Sequence, residues 1–238
     1  MGSCTAHALV ALLEYNYKRS DPVPEFKGST DDMFSERFVY YVARKSIDRL
    51  SPMDDIGTYL KSAIQAGVKY GAALESSFPY LDQSGVCQYN QEPPPEVWAQ
   101  ALNFQTLKYA KVPDVSLGST GTEMLAVCKR LLDLERPFIG GFVCYQNLFS
   151  GSNGLIPIPS GRISGGHAIL FVGYDDGRRV FKFKNSWGAG WGDNGYGYLP
   201  YEFMTRGLVF DVWTVYTFEI NDSSIGVVRP QDLAPEVE

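Results

Sequence analysis

An α+β fold is predicted by two features of the sequence and by their order. Segments with apolar residues at three- and four-residue intervals fill the first half, and short β-branched and aromatic runs fill the second. A third feature, the Gly- and Asp-bearing turns between those runs, predicts that the strands pair into an antiparallel sheet or barrel.

The first element is "CTAHALVALLEY", made of helix formers and apolar nearly all round, which describes a buried helix with Cys4 in its first turn. "SERFVYYVARKSI" and "IGTYLKSAIQAG" have helical periodicity. From Ser76 to Pro95 the chain is rich in turn residues and prolines, so surface loop is expected there. "GTEMLAVCKRLLDL" predicts one more helix. The β-type runs follow: "PFIGGFVCY", "HAILFVGYD", "RVFKFKNSW", "YGYLPY" and "LVFDVWTVYTFEI". These elements divide into a helical lobe, 1–106, a β-rich lobe, 107–220, and a flexible polar tail, 221–238, with a ligand cleft expected where the lobes meet.

Composition narrows the function. With 45% hydrophobic and 20% charged residues in 238, the chain can bury a sizeable core. Its 21 basic and 27 acidic side chains give a net charge of -6, and no Lys/Arg-rich run is present, which argues against a nucleic acid partner. No apolar stretch approaches the roughly eighteen residues of a membrane span, and "ALVALL" lacks the flanks of a signal peptide. Cys4, Cys87, Cys128 and Cys144 are widely spaced and form no CxxC, so a reducing, cytoplasmic setting is the default and a disulfide scaffold is not expected.

Chemistry centres on Cys4. At a helix start, unpaired N–H groups and the positive end of the dipole favour negative charge on a sulfur, so Cys4 is a candidate nucleophile; the alternative is a small apolar core residue. The chain has two histidines. His7 lies three residues on, on the same helix face, and reads as a packed histidine, since two ligands do not make a zinc site. His167, in "ISGGHAILFVGYDD", follows a glycine pair and reads as standing at the start of a strand with room for approach, or else as an interior strand histidine with a satisfied hydrogen bond. Eighteen residues later Asn185 closes the next strand, and hairpin pairing would bring the two together. An amide oxygen there can fix the imidazole so that its other nitrogen faces a thiol. Taken singly, Asn185 is a turn residue and Trp187 a core aromatic.

Together, "GSC" opening a helix, "GGHAILFVGYDD" and "KNSWGAGWGDNGYGYL", in that order, resemble the papain family of cysteine peptidases. "AGVKYGAALESSFPY" extends the resemblance, which spans roughly residues 2 to 220, and "SERFVYYVAR" and "FDVWTVYTFEI" look like its disulfide-poor microbial members. The resemblance implies a two-lobe fold with the active site in the cleft. It implies Cys4 as nucleophile, His167 as general base and acid, and Asn185 as the residue that orients His167, with Trp187 shielding their hydrogen bond. It also places Ala168 and Gly141 at the substrate side-chain pocket and Gly57 where the substrate backbone pairs. The implied partner is a peptide or protein substrate, cleaved by a monomer without metal or cofactor.

Two departures stand out. Family members carry a glutamine oxyanion donor six residues before the nucleophile, whereas three residues precede Cys4, as a truncated chain would explain. His7 occupies a place where an aromatic core residue is common. Three readings follow: a peptidase, an exopeptidase or acyltransferase with "QNLFSGSNGLIPIPSGRISGG" narrowing the entrance, or a weakly active or non-catalytic peptide-binding relative.

Overall fold

A computed structural model describes residues 2–19, 33–51, 54–81, 85–113 and 117–220, so the expected tail, 221–238, lies outside the described residues. Among the described residues, six α-helices and six strands run in the order α1 (Cys4–Arg19), α2 (Glu36–Val42), α3 (Leu60–Tyr70), α4 (Pro95–Ala101), β1 (Phe104–Lys111), α5 (Gly121–Asp133), β2 (Phe138–Tyr145), β3 (Ile163–Asp175), β4 (Val180–Lys184), β5 (Tyr196–Pro200), α6 (Tyr201–Thr205) and β6 (Val209–Ile220). A π-helical turn, Ala43–Ile47, continues α2.

The helix α1 is apolar nearly all round because it is covered on both sides. It packs on α2 and α3 in one direction and on β3 and β6 in the other. Leu9, Leu12 and Leu13 are fully buried there, each contributing about 1.5–3 kcal/mol of transfer free energy. Helix starts are fixed by side chains: Ser35 Oγ accepts from Phe38 N–H at α2, and Thr120 and Glu123 form a reciprocal capping box at α5.

The sheet is antiparallel throughout, in the order β1-β6-β2-β3-β4-β5, which leaves β1 and β5 at its edges. Its two faces enter different cores. Ile139, Ala168, Leu170 and Trp213 join the α1 side, while Phe138, Phe142, Ile169, Phe171 and Val212 join a second core with α5 and α6. Alternate residues of one strand thus serve opposite cores, as the pleat requires.

The structure differs from expectation at several elements, among them the short helix α6, whose first residue, Tyr201, was read in a β-type run. β3 begins at Ile163, so His167 lies inside the strand and not at its start. The reason is that β2 supplies partners for the preceding glycines, with Cys144 opposite Gly165 and Val143 opposite Gly166. Pro95, read as the end of a loop, opens α4. Proline's fixed φ and its missing N–H suit a helix's first position. The strand β1 was not expected, and the boundary drawn at 106/107 falls within it.

Candidate active site

Register carries His167 to Asn185. His167 sits opposite Phe142 of β2, and β3 pairs with β4, whose last residue, Lys184, precedes Asn185. The His167 Nε2 and Asn185 Oδ1 atoms are 2.8 Å apart. Oδ1 also accepts from the Ser186 backbone N–H at 2.8 Å, and since an N–H only donates, this fixes which amide atom faces the ring. His167 Nε2–H is therefore the donor, and Nδ1 is left as the acceptor nitrogen.

Aromatic rings enclose this pair. Trp187 stacks on His167 with centroids 4.8 Å apart and planes at 25°, and Trp191 meets Trp187 edge-on at 5.0 Å. Phe149, 74% exposed on the long β2–β3 connection, lies 5.3 Å from the Trp187 ring. Burial pushes the His167 pKa below its ordinary value, opposed by the hydrogen bond to Asn185.

Cys4 is the first residue of α1 and is half-buried. It packs against the core that contains Ala168, the residue after His167. Cys144, two residues beyond the cross-strand partner of His167, has its thiol pushed up to about 11, first by burial and then by the nearness of Cys4. None of the four cysteines is in a disulfide.

The loop before Cys4 is held by groups that the sequence motifs do not contain. Asp55 Oδ1 accepts from Gly2 N–H at 2.9 Å and from Tyr40 Oη at 2.5 Å, while Tyr40 Oη accepts from Gly57 N–H at 3.2 Å. Against the upward push of burial, these bonds hold the Asp55 pKa below its ordinary value. Gly57 itself lies against Gly2: a Cβ on Gly2 would stand 3.0 Å from Gly57 N and press on that backbone. Ser3 Oγ is bonded to Tyr80 Oη at 2.9 Å.

The remaining expected residues lie on the α1-facing side of the sheet. Gly141 pairs with Ala168 on one side and Phe210 on the other. A Cβ at Gly141 would lie 2.6 Å from the Phe210 ring, which is 40% exposed. Phe210 was not singled out in the sequence, and only its register opposite Gly141 reveals it. Ala168, 5% exposed, lines a cavity of about 50 Å³ between α1 and the sheet, together with His7, Glu14, Glu36, Lys184 and Asn185. Asn185 Nδ2 has no hydrogen-bond partner among the described residues, and the cavity that Asn185 lines is large enough to admit water.

The papain family cysteine protease model matches residues 2–205 of this sequence. The chain belongs to the papain family of cysteine proteases. A peptidase C1-like protein of Acanthamoeba polyphaga mimivirus is 30% identical over 99% of this chain and 73% of its own length. A cathepsin L-like proteinase of Fasciola hepatica is 27% identical, and there the match covers 82% of this chain but only 52% of the relative. Among solved structures, xylellain, a cysteine protease from Xylella fastidiosa, is 30% identical with a TM-score of 0.73, covering 91% of this chain and 80% of xylellain. The papain-like α+β architecture is thus shared with a solved protease.

Proposed function

We propose that this papain-family protease hydrolyses peptide bonds through a thioester on Cys4, with His167 as acid and base and Asn185 as its orienting group. The observation that carries this reading is the His167–Asn185 bond, which leaves Nδ1 unprotonated and able to take the thiol proton. Burial alone disfavours an imidazolium at His167, so a neighbouring thiolate is what would retain the proton there.

In the reaction, the Cys4 sulfur adds to the carbonyl carbon of a peptide substrate, and the Cys4 backbone N–H stabilises the oxyanion. The C–N bond then breaks as His167 gives its proton to the leaving amine. Water next attacks the thioester, losing a proton to His167, and the sulfur leaves. Trp187 stacked over the imidazole keeps solvent from the bond to Asn185. Gly57 would pair with the substrate backbone, with Ala168 and Gly141 at the side-chain pocket. One observation favours a narrower variant: Phe149 on Trp187 brings the long β2–β3 connection beside the ring that stacks on His167, where it would narrow the entrance as an exopeptidase or acyltransferase would use it.

Alkylation tests the reading. Burial pushes the pKa values of Cys87, Cys128 and Cys144 upward, so these three are protonated at neutral pH. Mass spectrometry after brief exposure to a peptide epoxide should therefore find Cys4 modified first, and His167→Ala should remove that preference. Equal labelling of all four thiols would count against the assignment.

A further inference from the structure

His7 is directed at the peptide of the nucleophile and not at its sulfur. The Ser3 carbonyl oxygen accepts from the His7 backbone N–H at 3.0 Å and lies 3.1 Å from His7 Nδ1. A carbonyl only accepts, so His7 carries its proton on Nδ1. The ring is held edge-on by Tyr80 with centroids 4.9 Å apart, and its Nε2 is 3.9 Å from Glu36 Oε1. Ser3 is 3% exposed, so bulk water does not compete for these bonds.

We propose that His7 is a positioning residue that orients the Ser3–Cys4 peptide, and with it the Cys4 N–H, toward the site of the oxyanion. This rests on the reading of Cys4 as nucleophile. The peptide unit is planar, so fixing the direction of the Ser3 C=O fixes that of the Cys4 N–H on the opposite side. Two hydrogen bonds on the carbonyl also polarise the unit and make its N–H the stronger donor. A phenyl ring at position 7 would reproduce the packing on Tyr80 but supply no second donor. An asparagine would supply the donor without the ring.

The groups facing His7 come from four elements: Glu14 on α1, Glu36 on α2, Lys184 on β4 and His167 on β3. Burial, aided by Lys184, keeps the ring in its neutral form despite the bond to Ser3. That state suits catalysis, because a charged His7 acts against protonation of His167.

The test compares His7→Phe and His7→Asn with the parent chain, using a fluorogenic peptide, Cys4 alkylation and ¹⁵N NMR. His7→Phe should lower kcat about tenfold, less than the hundred- to thousandfold loss of an entire oxyanion donor. KM and the rate of iodoacetamide labelling should stay within about twofold, since neither uses the oxyanion. His7→Asn should recover most of kcat. Spectra of the parent should show His7 protonated on Nδ1, and the Cys4 amide resonance should move in His7→Phe and return in His7→Asn. A His7 protonated on Nε2, an unmoved Cys4 amide, or a His7→Phe enzyme with parental kcat would overturn the proposal. Failure of the parent to label selectively at Cys4 would instead overturn the nucleophile assignment, and the two NMR readouts would still decide what His7 holds.

Discussion

The sheet side and the helix side of the site are assembled in different ways. On the sheet side the candidate groups come from neighbouring strands: His167 and Asn185 meet through the β3–β4 hairpin, and Trp187 follows two residues later. On the helix side the loop before Cys4 is held by Asp55, which bonds Gly2, and by Tyr80, which bonds Ser3, with Tyr40 bonded to Asp55; the three come from separate segments. Strand register specifies the first arrangement locally, whereas the second exists only once several elements have packed. The helix side should therefore respond to substitutions through stability and substrate alignment, and the sheet side through the chemical step.

The largest expected effect is on the helix side. Burial holds Glu36 at about 7 instead of its ordinary 4.5. A carboxyl raised in the folded state stabilises the fold fully below 4.5 and loses that contribution as pH rises through about 7. Relative to Glu36→Gln, which cannot titrate, the parent should lose about 3 kcal/mol across that interval. Urea midpoints at several pH values provide the measurement, and the difference between the two proteins removes the opposing contributions of His7 and His167. Parallel pH curves would break the contrast between the sides.

Asn185→Ala sharpens it from the sheet side. Losing a hydrogen bond to a group that becomes charged is worth about 1.5–3 kcal/mol, so kcat should fall roughly ten- to hundredfold. Thermal stability should change little by comparison. A large drop in melting temperature with an unchanged kcat would mean that the amide is structural.

Tyr40→Phe should have the smallest effect. It removes one hydroxyl that joins Asp55 to the Gly57 N–H, a loss of about 1 kcal/mol. The expected outcome is a roughly fivefold higher KM for peptides long enough to reach Gly57, with small-molecule alkylation of Cys4 unaffected. A change confined to kcat would show that the clamp acts on the nucleophile and not on substrate alignment.

Much of this site was legible because its signals are local. The spacing of His167 and Asn185 anticipates their hydrogen bond, and the apolar run after Cys4 anticipates a helix covered on both sides. Cys128 and Cys144 lie on apolar helix and strand patterns, and both are buried, at 0% and 6% exposure. What escaped depends on partners far away in the chain. β1 contains lysines and reads weakly as a strand, and it exists by pairing with β6, about a hundred residues later. His7 reads as a packed ring, and its packing on Tyr80 agrees, but its bond to the Ser3 carbonyl and approach to Glu36 require side-chain directions that periodicity does not give.

The sequence by itself determined the α+β order, the family and the residue types of the chemistry, because each is encoded in short-range pattern and motif. Only the tertiary structure decided where His167 lies within its strand, which hydroxyls hold the loop before Cys4, and which nitrogen of each histidine carries the proton. The physical reason is that hydrogen-bond roles are set by the partner an atom meets after burial. Those partners are brought together by packing between elements, over distances that no local spacing records.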